Sequence, residues 1–108
     1  MYTYKGKVIR VIDGDSVEIE IDLGFNIKFT EKARLLGINA PEKRGKNFIK
    51  GLESLKYLSD KILDKNVIIK TEKDTKGKFG RYLVTILLND ENINEWMIKN
   101  NHAVKAKY

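Results

Sequence analysis

Two carboxylates flank a glycine in the segment Asp13-Gly14-Asp15, at the end of a short apolar run. Carboxylates this close repel each other unless a cation or hydrogen bonds offset their charge. Hard cations such as Ca²⁺ prefer oxygen ligands of this kind. An Asp-Gly pair is also common in plain hairpin turns. The segment alone therefore favours a turn, and a cation site is the alternative.

Arg34 and Glu42 are the next candidates, at the two ends of a segment that contains the only proline of the chain. Arg34 has apolar neighbours in the sequence, and an arginine is rarely buried unless it has a partner. Glu42 directly follows Pro41, whose ring stiffens the backbone ahead of it. In isolation, the two residues fit a strand-edge arginine and a surface glutamate better than they fit a catalytic pair.

A second arginine, Arg81, follows Gly80 and leads into an apolar run, which a hairpin with a solvated arginine would also explain. Two guanidinium groups and a carboxylate suit phosphodiester hydrolysis. Guanidinium forks match phosphate oxygens two at a time, and the reaction needs a positioned water. Metal-assisted hydrolysis requires no histidine base. The only histidine, His102, follows the last predicted helix, so schemes that depend on a Ser-His-Asp or Cys-His arrangement have no support.

The composition is that of a small basic globular protein. The chain has 108 residues, a hydrophobic fraction of 42%, no cysteine and a formal net charge of +6. The length predicts one domain over residues 1–108, and the charge attracts polyanions such as nucleic acids. Disulfides and thiolate metal sites are excluded. No signal peptide and no apolar run of membrane-spanning length are visible. We therefore expect an intracellular protein, or a secreted mature form whose leader is removed, with no membrane partner.

Hydrophobic periodicity predicts five strands that would position these residues. Strict alternation over residues 17–22 indicates a strand with one wet face, and a short apolar strand over residues 8–12 precedes it. A third strand is predicted from residue 27 to residue 38, with a kink near residues 30–32. The last two strands are predicted over residues 67–71 and 82–88.

Two helices complete the set of predicted elements. Apolar residues at steps of three and four predict a first helix over residues 48–62, with Asn47 as its N-cap. Gly51 lies inside it, where glycine costs about 1 kcal/mol relative to alanine, so we expect another segment to pack closely there. The second helix is predicted over residues 93–100, before an irregular tail. The predicted inner face of the first helix consists of Phe48, Leu52, Leu55, Leu58 and Ile62.

The element order is three strands, a helix, two strands and a helix, which is the order of the OB fold. We therefore predict an α+β chain, predominantly β, built on a five-stranded Greek-key barrel with two helices. Barrels of this kind often bind nucleic acids, which agrees with the positive charge.

The three segments that carry the candidate residues resemble those of the staphylococcal-nuclease family of thermonuclease-like domains. That family has a DGDT turn, an RLxxxDTPE strand end and a GR pair after a polar loop. Here the segments read Asp13-Gly14-Asp15-Ser16, RLLGINAPE over residues 34–42, and Gly80-Arg81. The resemblance covers about residues 5–106 and implies the OB fold. We expect the third helix of the family to be absent, because the chain stops before it.

The resemblance implies a Ca²⁺-dependent endonuclease that cuts DNA and RNA, single- or double-stranded, with little sequence specificity and leaves 3′-phosphates. We expect it to be a monomer. Arg34 and Arg81 are implied to hold the scissile phosphate and to stabilise charge on its oxygens in the transition state. Glu42 is implied to orient or deprotonate the attacking water.

The resemblance also implies one Ca²⁺ ion and a set of substrate contacts. The implied metal ligands are the Asp15 carboxylate, the Asn39 side chain and the Ala40 backbone carbonyl, with Asp13 as an additional candidate. The implied substrate contacts are Lys78 and Phe79, which would hold a terminal phosphate, with Tyr108 as an additional candidate.

Asn39 replaces the usual aspartate of the family. Its amide oxygen can still bind Ca²⁺, but one negative charge is lost. Two unit charges about 4 Å apart interact by about 4 kcal/mol at an effective dielectric constant of 20. We therefore expect a weakened Ca²⁺ affinity.

Two alternatives to a nuclease remain at this point. One is a non-catalytic nucleic-acid-binding module of the same fold, like the degenerate nuclease-like domains of Tudor-associated proteins. Such modules typically lose members of the trio, whereas this chain keeps Arg34, Glu42 and Arg81. The other is an OB-type scaffold for protein contacts, which would leave both arginines and the paired carboxylates unexplained.

Overall fold

A meander of three antiparallel strands forms the first part of the computed structural model, which describes residues 2–76 and 82–106. β1 spans Tyr2–Asp13, β2 spans Ser16–Asp22 and β3 spans Lys28–Leu35. The alternation that predicted β2 is confirmed, since its apolar residues are buried and its acidic residues lie on the other, half-exposed face.

Two later strands complete a barrel. β5 (Asn66–Lys76) pairs antiparallel with β1, and β6 (Tyr82–Leu88) pairs antiparallel with β5. A short parallel pairing between residues 33–35 of β3 and residues 82–84 of β6 closes the sheet. The result is a closed, mixed five-stranded barrel with strand order β3-β2-β1-β5-β6, which confirms the predicted fold class.

Two helices flank the barrel in the described part of the chain. α1 spans Phe48–Ile62, as predicted, and a single 3₁₀ turn over Gly45–Asn47 precedes it. α2 spans Ile93–Lys99. Neither helix, within the described residues, has the length and apolarity that crossing a membrane requires. The remaining elements are two-residue strands: β4 (Ile38–Asn39), β7 (Glu91–Asn92) and β8 (Val104–Lys105).

The inner face of α1 differs from the predicted one. Its two C-terminal apolar positions are buried as predicted, but Phe48 and Leu52 are exposed. Gly51 and Ser54 are buried instead. Asn47 precedes the helix, but its side chain makes no capping hydrogen bond. The N-terminal half of α1 therefore packs through small residues rather than through large apolar ones.

The third strand and the tail also differ from the prediction. The register between β2 and β3 has no shift over residues 28–34, so no β-bulge interrupts the strand near residues 30–32, where the kink was predicted. The chain turns instead after β3, where Gly37 has a φ of 82°. The tail is not wholly irregular, because β8 pairs with β4. Two-residue strands are too short to show a hydrophobic period in the sequence.

Among the described residues, one hydrophobic core lies within the barrel and reaches both helices. Leu58 and Ile62 from α1, and Ile93 and Met97 from α2, are fully buried within it. One end of the barrel lies where β2 begins and β3 ends, next to the buried Gly51 and Ser54 of α1. The hairpin between β2 and β3 turns at the other end, over residues 23–27.

Candidate active site

Asp15 links the parts of the site, although it is only 4% exposed. The Ser16 hydroxyl donates to Asp15 Oδ1 at 3.1 Å. The backbone N–H of Ala40 donates to Oδ2 at 2.9 Å, and Arg34 Nη2 lies 3.2 Å from the same oxygen. The backbone N–H of Leu35 donates to the Asp15 carbonyl at 2.8 Å. Asp15 therefore ties the β1–β2 turn to the end of β3 and to the segment after β4.

Arg34 bridges two of the predicted metal ligands. Its Nη2 donates to Asn39 Oδ1 at 2.9 Å and is paired with Asp15. Strand register fixes its backbone on both sides, since Arg34 lies opposite Ser16 in β2 and opposite Leu83 in β6. The structure thus brings together three residues that the sequence had placed in one site, and it holds the guanidinium in one orientation.

Asp13 is a half-buried carboxylate, and its Oδ1 has no hydrogen-bond partner among the described residues. Burial raises the pKa of Asp13, and the neighbouring charge of Asp15 raises it further. The charge and backbone N–H of Lys43 lower this pKa, whereas the charge of Glu42 raises it. A hard cation would stabilise an unpartnered carboxylate oxygen beside a second carboxylate.

The donor set at this turn consists of oxygen atoms only, which suits Ca²⁺ or Mg²⁺ better than softer metals. Within the described ranges, no group of three or more aspartate, glutamate, histidine or cysteine residues is placed to hold a metal ion. The carboxylates of Asp13 and Asp15 and the amide oxygen of Asn39 remain. Oxygen atoms of this kind suit a hard cation, but Asp15 Oδ2 and Asn39 Oδ1 both contact Arg34 Nη2, so the unpartnered Oδ1 of Asp13 is the observation that favours one.

Glu42 lies in an exposed segment, and its side chain is 63% exposed. Its Oε2 is 3.1 Å from Arg44 Nε. An exposed ion pair of this kind contributes about 0–1 kcal/mol, so it is readily exchanged for another partner. Glu42, Asn39 and Ala40 line one cleft of about 850 Å³. The structure thus places Glu42 beside the predicted metal ligands but pairs it with Arg44, which nothing in the sequence had singled out.

Four predicted site residues lie outside the described residues, and their roles rest on the resemblance alone. Arg81 would be the third member of the catalytic trio. The other three are the predicted substrate contacts Lys78, Phe79 and Tyr108.

Helix α1 packs against the site through small residues. A Cβ at Gly14 would lie 2.7 Å from Ser54 Cβ and 2.9 Å from Ala40 Cβ. A Cβ at Gly51 would overlap the backbone at Glu42. The predicted close approach at Gly51 is therefore confirmed, and the segment packed there carries Glu42. Gly51 and Ser54 are three residues apart and share one helix face, a signal that was available in the sequence.

Replacing Gly51 with alanine should displace the backbone of Glu42. Overpacking lowers the free energy of unfolding by about 1–3 kcal/mol, and the higher helix propensity of alanine raises it by about 1 kcal/mol. We therefore expect a modest loss of stability. Any hydrolysis that depends on the Glu42 carboxylate should slow by up to roughly 10²-fold, because small displacements of a reacting group are costly. Urea unfolding and single-turnover cleavage would measure the two effects. Lys56→Ala, on the exposed face of α1, is the control, and an unchanged rate in Gly51→Ala would contradict this role.

Comparison with known proteins gives one family. The model of the family described as "Staphylococcal nuclease homologue" matches residues 32–108. An uncharacterised protein of Methanocaldococcus jannaschii is 32% identical, over 93% of this chain and 58% of its own length. A thermonuclease of Staphylococcus hyicus is 30% identical, over 94% of this chain and 59% of its own length. Protein ParB of Escherichia coli is 36% identical, over 81% of this chain and 44% of its own length. The chain thus spans about half the length of these relatives.

Proposed function

Since the chain belongs to the staphylococcal nuclease homologue family, we propose that it is a Ca²⁺-dependent endonuclease that hydrolyses DNA and RNA phosphodiester bonds with little sequence specificity. Family membership and the thermonuclease relatives give the coarser statement, a nuclease or nucleic-acid-binding function. The proposal of Ca²⁺-dependent cleavage rests on one further observation. Arg34 contacts both Asp15 and Asn39, beside the cleft that Glu42 lines.

Arg34 would act on the scissile phosphate. Asp15 and Asn39 orient its guanidinium before substrate binds, so little reorganisation is needed when charge develops on the phosphate oxygens. A planar guanidinium can also hold two phosphate oxygens at once, which lysine cannot. Arg81 would supply the second guanidinium. Contacts to phosphate rather than to base edges explain why little sequence specificity is expected.

Glu42 would position the attacking water and accept its proton. Its carboxylate faces an open cleft, where both water and a polymer strand can enter. The weak pairing with Arg44 keeps the carboxylate near the cleft, and it can be exchanged when substrate arrives. Water attacks phosphorus, Glu42 takes the proton, and the bond to the 5′ oxygen breaks; that oxygen takes a proton from solvent, which leaves a 3′-phosphate and a 5′-hydroxyl.

A Ca²⁺ ion, when bound, would supply Lewis acidity and would orient the water. Asp15, Asn39 and the Ala40 carbonyl would hold it, with the unpartnered oxygen of Asp13 as a further ligand. The pairing of Asp15 with Arg34 lowers the negative charge available to the ion. Together with the missing carboxylate at Asn39, this pairing supports a weak Ca²⁺ affinity.

Cleavage of single-stranded DNA in Ca²⁺ and in chelator, beside a Glu42→Gln variant, tests the proposal. We expect Ca²⁺-dependent cleavage by the wild type and a loss of roughly 10²-fold or more in the variant, since a positioned general base contributes on this scale. Glu53→Gln makes the same change in the same cleft and should keep the activity. Binding of DNA without cleavage would refute the proposed endonuclease and would favour the alternative, a non-catalytic nucleic-acid-binding module.

Replacing Asn39 with aspartate should strengthen Ca²⁺ binding. The new carboxylate adds a charge next to Asp15, and the gain is offset in part by repulsion and by the guanidinium of Arg34. We expect the Kd for Ca²⁺ to fall by about tenfold, equivalent to ~1.4 kcal/mol. Calcium titrations by calorimetry measure it. Asn66→Asp, exposed on β5 and remote from the site, is the control, and equal affinities in the wild type and Asn39→Asp would contradict the expectation.

A further inference from the structure

The barrel has an apolar cavity of about 280 Å³, whose lining extends from Phe29, near the β2–β3 hairpin, to Tyr82. All five barrel strands line it, so the cavity lies on the barrel axis. Their representatives are Tyr4 of β1, Ile21 of β2, Phe29 of β3, Thr71 of β5 and Tyr82 of β6. The mouth of a β-barrel is a frequent position for ligand sites.

The size and walls of the cavity suit a planar ring system. A closed apolar cavity of about 150 Å³ holds benzene, and sites for drug-sized ligands begin near 300 Å³. A group of one or two rings therefore fits a volume of about 280 Å³. Tyr4, Phe29 and Tyr82 supply aromatic surface, on which another ring can stack.

Two polar groups restrict what the ring must carry. Thr71 is 5% exposed, and its hydroxyl is buried without a hydrogen-bond partner among the described residues. Thr71 lies on the same inward face of β5 as the buried Val67 and Ile69, so its side chain faces the cavity. Glu31 also lines the cavity, and a carboxylate accepts hydrogen bonds only. A fitting ring therefore offers hydrogen-bond donors and acceptors along its edge.

We propose that this cavity binds one unstacked nucleobase of the polymer that Arg34 holds, and thereby favours single-stranded over duplex substrate. Every nucleobase has both donors and acceptors on its edge, whereas phenylalanine has neither and tryptophan only a donor. A base inside a duplex has its edge paired and its faces stacked, so it would have to be extruded first. This inference rests on the proposed function in one respect: it assumes that the protein binds a nucleic acid. It does not require that the protein cleaves it.

The position of the cavity allows one strand to reach both sites. Phe29 and Arg34 lie five residues apart on β3, which corresponds to about 17 Å along the strand. Lys32 is exposed between them and can pair with a phosphate on the way. The net charge of +6 attracts the backbone. Sequence-tolerant single-strand binding in other proteins uses the same combination of positive charge and aromatic stacking.

A binding experiment in chelator, where no cleavage occurs, tests this directly. The ligands are a fluorescently labelled single-stranded DNA 12-mer, the same length of abasic backbone, and the corresponding duplex. Thr71→Val removes the hydroxyl with little change of shape, and Phe29→Ala removes an aromatic wall from a side chain that is already partly exposed. Thr30→Val, exposed on the outer face of β3, is the matched control.

Wild type should bind the base-bearing strand more tightly than the abasic strand or the duplex. Thr71→Val should lose about tenfold in affinity for the base-bearing strand, because one buried hydrogen bond is removed, and nothing for the abasic one. Phe29→Ala should show the same selective loss, and Thr30→Val should show none. Unfolding midpoints verify that the variants are folded.

Two results would overturn the inference while leaving the nuclease proposal intact: cavity variants that bind like wild type, or losses that are equal for the base-bearing and abasic strands. Selective losses in a protein that also fails to cleave single-stranded DNA in Ca²⁺ would support the inference and refute the nuclease. A wild type that binds none of the three ligands would refute both.

Discussion

Replacing Arg34 with lysine is expected to lower kcat for phosphodiester cleavage by on the order of 10²-fold, comparable with the loss of one donor to a transition-state oxyanion. Lysine keeps the positive charge beside Asp15, but it is a single point of contact. It cannot span Asp15, Asn39 and a phosphate oxygen together, as the guanidinium can. The affinity for substrate should change far less than the rate, since the lost interaction strengthens only as charge develops.

Lysine is a better test than alanine at this position. Alanine would leave the buried carboxylate of Asp15 without its ionic partner, and breaking a buried pair destabilises by about 3–5 kcal/mol. Any loss of activity could then reflect unfolding. Single-turnover rates and urea unfolding of Arg34→Lys separate the two effects. Arg10→Lys, exposed on β1, makes the same change outside the site, and a wild-type rate in Arg34→Lys would remove Arg34 from the mechanism.

Replacing Asn94 with aspartate is expected to destabilise the protein by roughly 3–4 kcal/mol. Asn94 is 4% exposed and makes three hydrogen bonds. Its Oδ1 accepts from the Ile86 backbone N–H at 3.2 Å, and its Nδ2 donates to the carbonyls of Leu36 and Val84 at 2.9 and 3.0 Å. Aspartate has nearly the same shape but cannot donate, so its buried charge would face two carbonyl oxygens.

Denaturant unfolding followed by far-UV circular dichroism measures this loss. Domains of this size have a total stability of about 5–15 kcal/mol, so the loss would be a large fraction of it. The Asn66→Asp variant serves again as the control, because that side chain is exposed. A free energy of unfolding for Asn94→Asp equal to that of the control would show that the three hydrogen bonds contribute little.

Hydrophobic periodicity was sufficient to predict a strand or helix where one face of that element is buried. The alternation in β2 and the bounds of α1 were predicted from this signal, and the order of the elements gave the barrel. Periodicity was not sufficient for the inner face of α1, where apolar spacing selected Phe48 and Leu52. The first turns of that helix approach the backbone at Glu42 through Gly51 and the turn at Gly14 through Ser54, where larger side chains would not fit.

The candidate site was predicted in part. The resemblance placed Arg34, Asp15 and Asn39 together, and the structure does the same through direct contacts. The pairing of Glu42 with Arg44 could not be predicted, because two exposed residues in an irregular segment carry no pattern. The hydrogen bonds of Asn94 also could not be predicted, since no periodic pattern marks them and one of them joins α2 to the turn after β3, which is distant in sequence.

The parallel pairing of β3 with β6 has a consequence for how the protein folds. β1, β2 and β3 are consecutive and can pair locally, whereas closure must wait for α1 and β5 to be in place. Such non-local contacts carry a loop-closure cost and form late on the folding pathway. Arg34 is one of the three β3 residues in that closure. We therefore expect the chain to collapse around its meander first and to form the geometry of the candidate site last.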